Sequence, residues 1–120
     1  MNMPLKILLV EDSENDAALL VRELSKGGVD FSFERVETAE SMERAFKEQR
    51  WDLIIADYKM PRFSGLEAVF LAKEKDAAIP VIIVSGTVGE DVAVETIKAG
   101  ANDYLLKGNQ PIIIALARGL

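Results

Sequence analysis

The sequence predicts an α/β domain: a doubly wound, five-stranded parallel sheet with strand order 2-1-3-4-5. Three observations carry that expectation. Short, nearly continuous apolar runs, Leu5-Lys6-Ile7-Leu8-Leu9-Val10, Leu53-Ile54-Ile55-Ala56 and Val81-Ile82-Ile83-Val84, suit strands covered on both faces. Stretches with helical spacing follow them, so five strands alternate with five helices. Four strands end in polar residues, Glu11 and Asp12, Asp57, Ser85 and Lys107, where a parallel sheet places its chemistry. Right-handed crossovers leave few topologies, and 2-1-3-4-5 is a common doubly wound order rather than a deduction from these residues.

The first run ends in Glu11-Asp12. Ser13 then suits a helix N-cap, with Asp16 as a weak capping-box partner three residues on. Ala17, Leu20, Val21 and Leu24 lie at i, i+3, i+4 and i+7, one face of that helix, and Gly27-Gly28 stops it. Phe31 to Val36 reads as a second strand with charge mixed in, hence an edge strand. Thr38 caps a second helix whose inward residues are Ala39, Met42 and Phe46, and Trp51-Asp52 closes that connection.

The third strand stops at Asp57, and a loop with Pro61 and Gly65 follows. Ser64 and Glu67 form an S-x-x-E capping box for a third helix, with Leu66, Val69 and Phe70 expected inward and residues 73–76 as its solvated end. Pro80 opens the fourth strand, which ends in Ser85, and residues 86–89 form a flexible loop. Glu90 and Asp91 suit the positive end of a fourth helix, Lys98 its negative end, and Gly100 its stop. Asp103 to Leu106 is a fifth strand, followed by Lys107. Asn109 caps a last helix, with Pro111 in its first turn.

A chain of 120 residues with 49% hydrophobic residues favours one domain with a full core. The net charge of -6 argues against nucleic acid or an anionic membrane as partner of this segment. There is no Cys and no His. That excludes disulfides, imidazole bases, Ser-His-Asp triads and most zinc sites, so any metal is held by oxygen, with Mg²⁺, Mn²⁺ or Ca²⁺ as candidates. No apolar run is long enough to span a membrane and the start MNMPLK lacks a signal-peptide pattern, so the expected location is cytoplasmic.

The polar strand ends share one edge of such a sheet, with strands 1 and 3 flanking the switch point. Glu11, Asp12 and Asp57 would then converge. Clustered carboxylates repel unless a cation joins them, and Mg²⁺ takes one or two carboxylates while leaving a position for phosphate. Lys107 and Ser85 supply a positive charge and a hydroxyl donor for a phosphoryl group, and Asp57 can be the nucleophile that forms an aspartyl-phosphate.

Val10-Glu11-Asp12, Asp57-Tyr58-Lys59-Met60-Pro61 with Gly65, Val84-Ser85-Gly86, and the run from Lys98 to Lys107 (KAGANDYLLK) closely resemble the receiver domain of two-component response regulators. The resemblance runs from Leu5 to the last helix. It implies a flavodoxin-like three-layer sandwich in which Asp57 takes a phosphoryl group from the phosphohistidine of a histidine kinase or phosphotransfer protein. It implies Mg²⁺ or Mn²⁺ on Glu11, Asp12, Asp57 and the Lys59 carbonyl. Ser85 would bond to the phosphate and Lys107 would pair with it. Tyr104 would be the aromatic switch partner of Ser85, and Lys59 and Thr87 would modulate the site. Such a domain is no enzyme beyond self-catalysed phosphorylation and dephosphorylation, and homodimers are compatible with it.

Three features depart from the family pattern. Lys59, two residues after the acceptor, brings a second positive charge near the site. Gly108 stands where most receivers carry a proline preceded by a cis peptide bond, which predicts a looser loop. The apolar end, with Ile112-Ile113-Ile114, predicts that residues 1–120 are one receiver domain, the N-terminal module of a longer protein with an output module after Leu120. Two other functions compete. An aspartyl-nucleophile phosphatase or phosphotransferase in its common form carries D-x-D after the first strand, whereas this chain has Asp12-Ser13-Glu14 and no cap domain. A nucleotide or flavin binder needs a Gly-rich loop there, and Glu11-Asp12 would repel its phosphates.

Overall fold

The computed structural model describes residues 3–87 and 89–120. Strands and helices alternate as the hydrophobic pattern requires. In order they are β1 (Leu5–Val10), α1 (Glu14–Lys26), β2 (Phe31–Val36), α2 (Ala39–Glu48), β3 (Leu53–Asp57), α3 (Gly65–Lys75), β4 (Val81–Ser85), α4 (Glu90–Ala99), β5 (Asp103–Leu106) and α5 (Gln110–Arg118). The five strands run parallel in the order β2-β1-β3-β4-β5.

Strand alternation splits the core into two layers. Ile7, Leu9, Leu53, Ile55, Ile82 and Val84 point to one face, which α1 and α5 cover with Ala17, Leu24, Ile113 and Ala117. Leu8, Val10, Ile54, Ala56, Val81 and Ile83 point to the other, against Met42 and Ala45 of α2 and Ala68, Val69 and Ala72 of α3. Apart from the first two residues of β1, the three central strands are buried on both faces, which is why they read as apolar runs. The charged β2 sits at the edge, where Glu34 and Arg35 remain half-exposed.

The helix ends follow local chemistry. Thr38 with Ser41 and Ser64 with Glu67 form complete capping boxes at α2 and α3. Gly28 at φ 80° and Gly100 at φ 122° follow α1 and α4 in backbone conformations that favour glycine.

Four local expectations are corrected. Phe70 is 57% exposed, because the buried stripe of α3 is Gly65, Ala68, Val69 and Ala72; small residues, not the largest apolar ones, set its inner face. Lys73 is not simply solvated, since its Nζ donates to the Ile79 carbonyl. Asn109 occupies the N-cap position of α5 but its side chain makes no capping bond. Asp16 does not complete a capping box with Ser13, for a reason that lies in the site. Val88 of the expected 86–89 loop, like Met1 and Asn2 of the N-terminal stretch, lies outside the described residues. No helix among the described residues is long and apolar enough to cross a membrane.

Candidate functional site

Asp57 is the last residue of β3, paired in register with Val84 of β4 and 6% exposed. The chain is folded tightly behind it. Tyr58 N–H donates to the Val84 carbonyl and Gly65 N–H to the Tyr58 carbonyl, both at 2.8 Å. A Cβ on Gly65 would lie 2.6 Å from the Tyr58 Cα and 2.8 Å from the Asp57 carbonyl oxygen. Only glycine lets α3 begin this close to the acceptor strand. Lys59 N–H points back to Asp57 Oδ1 at 3.4 Å.

Glu11 follows β1 and is 7% exposed. Its backbone N–H donates to the Val36 carbonyl at 2.9 Å, and its own carbonyl accepts from Arg35 Nη1 at 3.0 Å. Arg35 thus holds the Glu11 backbone from the edge strand. One Glu11 carboxylate oxygen accepts from Ser13 N–H at 3.1 Å and the other pairs with Lys107 Nζ at 3.0 Å. Oxygens of Glu11, Asp12 and Asp57 all lie within 4.8 Å of one another, a spacing that one cation could bridge. An all-oxygen set of this kind fits a hard divalent ion.

Lys107 follows β5, where its N–H donates to the Ser85 carbonyl at 2.8 Å. Its Nζ reaches three carboxylates: Asp16 at 2.5 Å, Glu11 at 3.0 Å and Asp57 at 3.1 Å. Burial alone draws the ammonium's pKa down, but the hydrogen bonds it donates to Asp16, Glu11 and Asp57 outweigh it and leave it above its ordinary value. Burial pushes the Glu11 carboxyl from 4.5 up to about 7, against the opposing hydrogen bonds from Ser13 and Lys107. The negative charge of Asp57 adds to the rise.

Ser85 ends β4, buried, with its hydroxyl oxygen accepting from Thr87 N–H at 3.3 Å. Tyr104 of β5 is half-buried and packs on the α2–α3 side of the core. Its ring meets that of Tyr58 edge-on, with centroids 6.1 Å apart. Glu11, Asp12, Asp57 and Lys107 are therefore brought together, Lys59 and Ser85 adjoin them along the chain and the sheet edge, and Thr87 touches Ser85.

Two residues of this network carry no function in the sequence reading: Arg35 and Asp16. Arg35 lies inside a strand whose charges look like edge decoration. Asp16 is separated from Lys107 by 91 positions, and only the sheet order brings the two together. A groove of about 210 Å³ opens beside this pair, lined by Leu19 and Leu20 of α1 and Gln110 and Ile113 of α5.

Fold and site define a phosphoacceptor domain of the α/β class, with its acidic residues at the carboxyl edge of a 2-1-3-4-5 sheet. The family model of the response regulator receiver domain matches residues 7–117, and the chain belongs to that family. It is a phosphoacceptor signalling domain of two-component systems. The chain is 28% identical over 106 residues to the chemotaxis protein CheY of Thermotoga maritima, which spans 88% of each. It is 35% identical over 108 residues to the transcriptional regulatory protein RprY of Bacteroides fragilis, covering 89% of this chain and 44% of RprY. Among solved structures, the beryllofluoride-activated NtrC4 receiver domain dimer superposes with a TM-score of 0.80 at 28% identity, covering 93% of this chain and 94% of that one. The Mn²⁺-bound form of response regulator Rcp1 gives 0.75 at 25% identity, covering 97% and 91%.

Proposed function

We propose that Asp57 is the phosphoacceptor, with Lys107, Ser85 and a Mg²⁺ site on Glu11, Asp12, Asp57 and the Lys59 carbonyl as its machinery. The observation that carries this reading is the Lys107 ammonium 3.1 Å from a buried Asp57 carboxylate inside a three-carboxylate cluster. An Asp57 oxygen attacks the phosphorus of a partner's phosphohistidine. The new O–P bond forms as the P–N bond breaks, and the electron pair returns to the imidazole nitrogen, which takes up a proton. The donor histidine comes from another protein or segment, a histidine kinase or a phosphotransfer protein, because this chain has none. Lys107 pairs with a phosphoryl oxygen and the Ser85 hydroxyl donates to another. When bound, the cation offsets negative charge on the phosphoryl oxygens. The Mn²⁺-bound state of Rcp1 supports a divalent ion in this family.

Beyond self-catalysed phosphorylation and dephosphorylation the domain has no enzymatic role in this reading. Its output is a change in a protein-binding face, and the recipient is an attached module, a second copy or a separate protein. Lys59 and Thr87, which contact Asp57 and Ser85 through their N–H groups, tune the lifetime of the phosphoryl group. The reading takes the domain to act in the cytoplasm, an expectation supported by the start MNMPLK, which lacks a signal-peptide pattern, and by the lack of a membrane-crossing helix among the described residues.

The test is incubation with acetyl phosphate and Mg²⁺, read by intact mass. The domain gains one phosphoryl group and Asp57→Asn gains none. Undiminished labelling of Asp57→Asn would move the acceptor elsewhere. Turnover of many donor equivalents without accumulation would favour the phosphatase reading.

A further inference from the structure

We infer that Asp16 is a positioning residue: it anchors the Lys107 ammonium beside the acceptor from α1 and keeps it there when the site is loaded. The inference rests on the proposed phosphoacceptor role of Asp57. Three carboxylates share the Lys107 Nζ, which has three protons to donate. Two of them, Glu11 and Asp57, belong to the cluster that would hold the cation, and Asp57 becomes the acyl phosphate. Asp16 lies outside that cluster and makes the closest contact, at 2.5 Å. It is the one partner whose charge remains available to Lys107 throughout.

The local structure commits Asp16 to this task. It occupies the N3 position of α1, where a capping box would turn its carboxylate back to the Ser13 N–H. Here Glu11 Oε2 takes that N–H at 3.1 Å, while Ser13 Oγ still accepts from the Asp16 N–H. At α2 and α3 the N3 side chain does reach back. The diverted Asp16 carboxylate bonds Lys107 instead. The Lys107 backbone N–H is tied to the Ser85 carbonyl at 2.8 Å, but the chain beyond it is open. Lys107 follows a four-residue strand and precedes Gly108, an exposed glycine with nothing within 4 Å of where a Cβ would sit. A lysine side chain loses much rotamer entropy when held in one place, so a partner that holds it beforehand favours the bound phosphoryl group.

A double-mutant cycle tests this, with beryllofluoride affinity in Mg²⁺ and the acetyl phosphate labelling rate as readouts. Asp16→Ala should weaken both by roughly three- to tenfold, the range of a partly exposed charge-assisted pair. Asp16→Asn keeps an acceptor without the charge and should fall between it and the wild type. In a Lys107→Ala background, Asp16→Ala should change nothing further, a non-additivity that a merely structural role for α1 would not produce. Tighter beryllofluoride binding by Asp16→Ala would make Asp16 a competitor for Lys107 and overturn the inference, as would additive losses in the cycle. A wild-type domain that takes no label fails the phosphoacceptor reading itself, a separate result.

Discussion

One ammonium among three carboxylates makes Lys107 the electrostatic centre of the site, and backbone fit around Asp57 makes Gly65 its steric one. Gly65→Ala places a methyl group 2.6 Å from a backbone carbon, which no side-chain rotation relieves. We expect a loss of about 1–3 kcal/mol in urea unfolding, together with slower labelling of Asp57, because α3 must retreat from the acceptor loop. Gly86→Ala serves as the control, since a Cβ there meets nothing within 4 Å. Equal losses in both variants would show that close approach at Gly65 is not what matters. Arg35 acts on the other side of the site. Arg35→Gln removes the guanidinium bond to the Glu11 carbonyl, so Mg²⁺ affinity should fall severalfold, read by thermal shift, while Asp57 remains the labelled residue.

The elements that should carry the signal are β4, α4 and β5. Ser85 and Lys107 lie on adjacent strand ends, joined by a backbone bond of 2.8 Å, so a phosphoryl group that draws on both side chains pulls on both strands. Tyr104 sits on β5 with its ring against Tyr58, so it registers movement on either side. Backbone NMR shifts on adding beryllofluoride and Mg²⁺ should concentrate in residues 85–108, with little change in α1 and β2 beyond the loop that follows β1. Ser85→Ala should still take the phosphoryl group yet shift Tyr104 less. A response centred on residues 17–36, or one unchanged in Ser85→Ala, would sink the switch assignment.

At this scale the sequence is most legible. Central strands buried on both faces must be apolar, and Ser or Thr caps the first three helices, so element type and order are open to reading. Asp57, Glu11, Asp12 and Lys107 stood out because polar residues end apolar runs. What escaped is long-range or small. Asp16 looks like a capping residue because it stands three positions after Ser13, but Glu11 takes the Ser13 N–H and the Asp16 carboxylate accepts from the distant Lys107 instead. Phe70 looks like core because size suggests burial, whereas α3 packs on the sheet through Gly65, Ala68, Val69 and Ala72. Asn109 looks like a cap, and the Asn109 N–H to Leu106 carbonyl bond at 2.9 Å shows that the turn, not the side chain, sets the start of α5.

For the whole molecule, the clustered charge links stability to pH and to metal. Glu11 has a folded-state pKa of about 7, above its ordinary 4.5, so the native state binds that proton more tightly than the unfolded chain does. The resulting stability is fully present below about pH 4.5 and is lost as pH rises through about 7. In the metal-free domain the melting temperature should therefore rise on going from about pH 8 to about pH 6, opposite to a carboxylate held ionised by its partners. Divalent cations act in the reverse sense. They need the carboxylates ionised, and binding only to the native cluster stabilises by mass action. Added Mg²⁺ should thus raise the melting temperature more at the higher pH, where no proton competes on Glu11. Glu11→Gln should flatten the metal-free pH dependence, and Asp12→Ala should remove the Mg²⁺ shift while keeping that dependence. The measurement is a set of melts at both pH values, with Mg²⁺ and with chelator. A Mg²⁺ shift that survives Asp12→Ala would put the cation outside the Glu11, Asp12 and Asp57 cluster. A metal-free melting temperature that falls toward about pH 6 would mean that other carboxylates outweigh Glu11 in the acid range.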